Sequence, residues 1–201
     1  MAVSEGVNAM NQMAKSTCLR AVFAASLILF WIGPSTAYAS SYEEAVSRWS
    51  SYEDVGKWLN SNFSFDRSRL GSVQKRIRTQ GPKGLLARNP SATYDDKAGY
   101  CVDSANLALD ALNRIDPSYK ARWIFVRNGT GKIHHWATGF TVEGKLHVMD
   151  FGAGPHWSEM KGIHGPYESL DEYANFLSSL NLQGFSVGEV VWRNQFPGQE
   201  D

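Results

Sequence analysis

Cysteine is nearly absent from this chain: two residues in 201, Cys18 and Cys101. Cys18 lies in the N-terminal signal-like segment described below, so a chain that loses this segment keeps Cys101 alone and forms no internal disulfide. Net charge is also absent, because 20 basic and 20 acidic residues cancel. With no excess of either sign, neither a nucleic-acid partner nor binding to an anionic membrane surface is expected. No apolar run reaches the roughly 20 residues that a bilayer requires, and no internal repeat or low-complexity segment is present. The histidines His134, His135, His147, His156 and His164 lack carboxylates or thiols at zinc-site spacing, so neither a metal nor another cofactor is expected.

What is present begins with an address. Lys15 and Arg20 precede an uncharged apolar run from Ala21 to Gly33, followed by Pro34 and the small-x-small sequence Ala37-Tyr38-Ala39. This pattern predicts a secretory signal over residues 1–39, an exported (periplasmic or secreted) product and no stable membrane anchor after cleavage. The remaining residues, 40–201, fit a single domain, and a composition that is 43% hydrophobic supplies a core for it.

Apolar residues Val46, Trp49, Val55, Trp58 and Leu59 recur at steps of three to six, which predicts one or two amphipathic helices between Ser41 and Asn62. The stretch from Ser64 to Pro90 is basic and broken by glycine and proline. It reads as an irregular surface connection that could border a cleft, with a short helix around Val73 to Arg78. A clear helix then starts at Cys101, with Val102, Ala105, Ala108, Leu109 and Leu112 on one face and Asp103 in the first turn, where a carboxylate suits the free N–H groups. The period next changes to two. Ala121–Arg127 reads as a strand, Lys132–Val142 and Lys145–Phe151 as a hairpin around Glu143-Gly144, and Phe185–Trp192 as a last strand. Ser169 to Glu172 has the form of a capping box opening another helix. Helices, then a short antiparallel sheet, then a helix and a strand make an α+β order.

Cys101 at a helix N-terminus satisfies one condition for a reactive thiolate, and a neighbouring imidazole would satisfy the second. Hairpin parity selects the imidazole. If Glu143-Gly144 is a two-residue turn, Val142 faces Lys145 and Ala137 faces Asp150. His135 then shares a face with Asp150 as its diagonal neighbour, roughly 7 to 8 Å away at the backbone and within reach of a ring. A three-residue turn would select His134 instead. A Cys/His/Asp centre of Cys101, His135 and Asp150 is the resulting expectation.

The run Lys97-Ala-Gly-Tyr-Cys101-Val-Asp103-Ser-Ala105 resembles the opening of the catalytic helix in transglutaminase-like cysteine peptidases. His135-Trp-Ala-Thr-Gly-Phe-Thr-Val-Glu-Gly-Lys-Leu-His-Val-Met-Asp150 resembles their histidine-bearing hairpin, and Tyr52 to Phe63 looks like the helix that precedes the catalytic one. The resemblance spans Tyr52 to Gly154. Two departures stand out: members commonly show His-x-Trp, which here would choose His134 with Trp136, and they often continue after the Asp with Pro, where Phe151-Gly-Ala-Gly154 stands. The resemblance implies a papain/transglutaminase-like fold, with helices packed on a short antiparallel sheet and the nucleophile heading the central helix. It also implies acyl transfer from the amide of a peptide or protein substrate, in the cell envelope or outside the cell. Cys101 would attack, His135 would move the proton and Asp150 would orient the ring. The Cys101 N–H would serve as one oxyanion donor, with Tyr94 and Asn89 as candidates for the second. A non-catalytic binding module using a groove near Trp157 and the 64–90 segment, and a cross-linking acyltransferase, are the competing expectations.

Overall fold

The computed structural model describes residues 40–131 and 133–195. The signal-like segment, Cys18 and the extreme C-terminus lie outside the described residues. Two short helices come first, α1 (Tyr42–Arg48) and α2 (Tyr52–Asn62). In α1, Ser41 Oγ accepts the Glu44 N–H and the Glu44 carboxylate accepts the Ser41 N–H, a reciprocal cap that satisfies two otherwise free donors. A two-residue strand β1 (Ser64–Phe65) pairs in parallel with β2 (Ala98–Gly99). Between them lie α3 (Leu70–Gln80) and α4 (Pro90–Asp96). The segment read as irregular is therefore largely helical.

The helix expected at Cys101 is α5 (Cys101–Ile115). After it come β3 (Arg122–Asn128), β4 (His135–Val142), β5 (Lys145–Asp150), β6 (Gly162–Tyr167), α6 (Leu170–Ser179) and β7 (Val187–Arg193). The long strands form an antiparallel sheet in the order β6-β5-β4-β3-β7. Helices on an antiparallel sheet make this an α+β fold, as the element order predicts.

Two cores explain how α5 is held. On one side of the sheet, Leu107, Ala108, Ala111 and Leu112 of α5 pack with Val55 and Leu59 of α2 and with Phe140 and Met149 of the hairpin. Small residues let helix and sheet approach closely, and Thr138 Oγ1 donates to the Ala105 carbonyl at 2.6 Å. On the other side, Ala137, Val148, Ile124 and Val126 meet Tyr173 and Leu177 of α6. Ser169 caps α6 as expected, but its partner differs. Glu172 reaches the Glu168 N–H at 2.8 Å, one residue further out than a capping box requires.

The hairpin register decides the site. Glu143 (φ 51°) and Gly144 (φ 80°) both occupy the left-handed region, the signature of a two-residue turn whose twist matches the strands. Val142 accordingly faces Lys145, and Thr138 faces Met149. Asn128, which begins an Asn-Gly-Thr sequence, is 4% exposed, and its side-chain oxygen accepts from the Thr130, Gly131 and Ser186 N–H groups, so it staples the β3–β4 loop. No described helix is long and apolar enough to cross a membrane.

Candidate active site

Cys101 is the first residue of α5, where the backbone N–H groups have no partner within the helix. The helix start is anchored by Asp103, which is 1% exposed. Its carboxylate accepts the Tyr100 N–H and the Arg88 N–H, both at 2.9 Å, and the Arg69 and Arg88 guanidinium groups each lie 3.6 Å from Oδ2. Asp103 therefore does more than complement a dipole: it ties the start of α5 to the segment before α4. Replacing it with Asn keeps the shape but removes the charge that faces two arginines. Asp103→Asn is expected to lower unfolding stability by about 2 kcal/mol, the scale of a lost hydrogen bond to a charged group, as read by urea denaturation.

A second close contact fixes Cys101 from the opposite side. Gly152 approaches so closely that a Cβ there would stand 2.3 Å from the Cys101 Cα and 3.0 Å from its nitrogen. Of the two glycines in the sequence Phe151-Gly-Ala-Gly154, Gly152 is thus the one that only glycine fits.

His135 heads β4 and Asp150 ends β5, and the two meet: His135 Nε2 lies 2.5 Å from Asp150 Oδ2, with both residues 1% exposed. That pairing leaves Nδ1 free, and Cys101 shares the wall of one cleft with the ring and raises its proton affinity. Burial by itself pushes the imidazole toward its neutral form. The Asp150 carboxylate, by charge and hydrogen bond, and then Cys101 more than offset this and hold His135 well above its ordinary value, at about 10. Trp157 sets its ring edge-on to His135 at 6.5 Å and is held by an indole N–H to Gln183 carbonyl hydrogen bond of 3.1 Å. Behind Asp150, burial first and then the nearby carboxylate push the Tyr173 hydroxyl well above the usual tyrosine range.

His134 points elsewhere. Its Nδ1 accepts the Asn128 N–H at 3.2 Å and its ring meets Phe125 edge-on, while burial and then Arg127 lower its proton affinity. The two side chains considered as oxyanion donors also lie outside the site. Asn89 caps α4 by accepting from Ser91 N–H, and Tyr94 is stacked on Trp58 with its hydroxyl against Ser40. Among the described residues, no cluster of three or more His, Cys, Asp or Glu side chains is placed to hold a metal.

Cys101 and His135 open onto a cleft of about 460 Å³, walled by α3 on one side and by the loop from Gly152 to Trp157 on the other. Sequence reasoning placed both walls near a groove but missed Leu70 and Ile77 as lining residues. The signal was available: Leu70, Val73 and Ile77 repeat at helical spacing in a segment otherwise polar.

A central helix headed by a cysteine, packed on an antiparallel sheet whose hairpin brings a histidine onto an aspartate, defines a class. The chain belongs to the transglutaminase-like domain family, which it matches over residues 35–158. This span contains Cys101, His135, Asp150 and Trp157. No curated protein matches the chain.

Proposed function

We propose that the protein is an exported cysteine-dependent amide hydrolase, a transglutaminase-like peptidase acting through an acyl-enzyme. The observation that carries this reading is the buried His135–Asp150 pair with Cys101, the first residue of α5, lining the same cleft as the ring. In the proposed cycle, His135 already carries a proton on Nδ1, and the Cys101 sulfur attacks the carbonyl carbon as a thiolate beside that imidazolium. An imidazolium beside the sulfur favours its anionic, nucleophilic form. The tetrahedral oxyanion is met by the Cys101 backbone N–H at the helix start. Collapse breaks the C–N bond, and His135 gives its proton to the departing amine. Water then attacks the thioester and gives a proton to His135, and cleavage of the C–S bond releases the acid and restores the thiolate beside the imidazolium. Asp150 keeps Nε2 protonated throughout, so that Nδ1 is the nitrogen that exchanges.

Export is proposed from the basic, apolar and small-residue order of residues 15–39. It is tested by N-terminal sequencing of the protein recovered outside the cytoplasm, where retention of residues 1–39 would overturn it.

The activity is tested at the thiol. At about pH 6, Cys101 is expected to react with iodoacetamide about tenfold or more faster than glutathione in the same tube, as read on the Cys101 peptide by mass spectrometry. Cys101→Ala is expected to abolish amide hydrolysis of denatured protein substrates. A rate equal to that of glutathione would leave a non-catalytic binding module as the better reading.

A further inference from the structure

A helix with a single apolar stripe ordinarily buries it. In α3 only Val73 is fully covered, at 4% exposure. Leu70 and Ile77 on the same stripe, with Phe65 and Leu85, stay half-buried at the edge of the core around Val102 and Trp136, and they line the cleft that opens on Cys101. Ile133, which is 67% exposed, stands at the same cleft from the β3–β4 loop. None of the described lining residues is Asp, Glu, Lys or Arg. The result is a patch of core surface left open beside a nucleophile, with a volume in the range that takes a small ligand or a few side chains.

We infer that this cleft selects a peptide segment carrying a bulky, uncharged aliphatic or aromatic side chain within a residue or two of the reacting carbonyl. The inference rests on the reading of Cys101 as the acyl-transfer nucleophile. Apolar ligand surface seated here leaves water together with that of Leu70, Ile77 and Phe65, whereas a charged side chain would lose hydration with no partner to replace it. A peptide fits better than a lipid chain because hydrogen-bonding groups lie among the apolar ones. The amides of Gln74 and Gln183 and the side-chain-free backbone of Gly152 and Gly154 all border the cleft.

The experiment uses the full chain and reads alkylation on the Cys101 peptide by mass spectrometry, with glutathione as reference. N-ethylmaleimide and N-hexylmaleimide are compared. The hexyl-to-ethyl rate ratio at Cys101 is expected to exceed that at glutathione by about tenfold or more, because four further methylenes enter apolar surroundings. Ile133→Glu and Ile77→Glu are each expected to remove most of that excess. Ile133 is exposed enough that its replacement cannot unfold the core, and the ratio is taken within one protein, so changes in the sulfur's own reactivity cancel. Blocked leucine-rich tetrapeptides are expected to slow labelling at concentrations where glutamate-rich ones do not.

A ratio equal to that of glutathione, or an excess that survives both substitutions, overturns the apolar selection. Protection by lysolipid but not by leucine peptides overturns the peptide assignment. Neither result bears on the nucleophile itself, which iodoacetamide against glutathione decides separately.

Discussion

Asp150→Ala is expected to lower unfolding stability by about 3 kcal/mol or more at neutral pH, because removing one member of a buried ion pair strands the other in a site without water. His135 is the residue stranded. Its proton is held in the fold to about pH 10, against an ordinary value of 6.5 in the unfolded chain. A raised value in the folded state fixes the sign of the pH dependence. Below about pH 6.5 both states carry the proton and the stabilisation is fully present; between about 6.5 and 10 it falls as pH rises, and beyond that it is gone. Asp150→Asn, which preserves shape without charge, should flatten that window. Urea midpoints at about pH 6, 8 and 10 read the effect, and a slope that persists in the Asn variant would show that some other group holds the proton. If the proposed cycle is correct, the same substitution lowers kcat/KM by about a thousandfold or more, because the ring no longer presents the right nitrogen to sulfur.

The pairing at the centre of that prediction is legible in the sequence because side-chain parity in a hairpin is a counting problem. Once Glu143-Gly144 is taken as a two-residue turn, Val142 must face Lys145, and His135 rather than His134 lies on Asp150's side. The α5 helix is legible for a similar reason, since its apolar face is continuous and long. What hides from the sequence is what tertiary contact decides. In α4 the seven residues Pro90–Asp96 hold no apolar period and depend on the Asn89 cap. Strand β6 has no strand pattern in the sequence, because it contains Gly162, Gly165 and Pro166. It forms at the sheet's edge, where a missing N–H costs least. The α3 helix is under-read because its stripe faces a cleft and therefore stays short. Asn89 and Tyr94 were considered as oxyanion donors from their position in the chain, whereas capping and stacking, both matters of packing, send them elsewhere.

Gly152→Ala is the other substitution expected to act strongly, and its interest is that it alters none of the side chains of the proposed chemistry. The added methyl would lie 2.3 Å from the Cys101 Cα, 3.0 Å from the Cys101 nitrogen and 3.1 Å from the Ser104 Cβ. Two of these three atoms are helix backbone, which cannot rotate aside as a side-chain end can. Either the Gly152 loop or the first turn of α5 must therefore move. Overpacking of this kind costs about 1–3 kcal/mol, and displacement of about 1 Å at a reacting centre costs about a hundredfold in rate. Gly154→Ala is the matched control, because its added methyl would meet only the Phe65 ring at an ordinary 3.6 Å. The expected pattern is a large loss of Cys101 alkylation rate in the first variant and little change in the second, with stability lowered in the first alone. Equal behaviour of the two variants would mean that the close approach at Gly152 does not position the thiol. The sequence Phe151-Gly-Ala-Gly154 would then be a loop preference and nothing more.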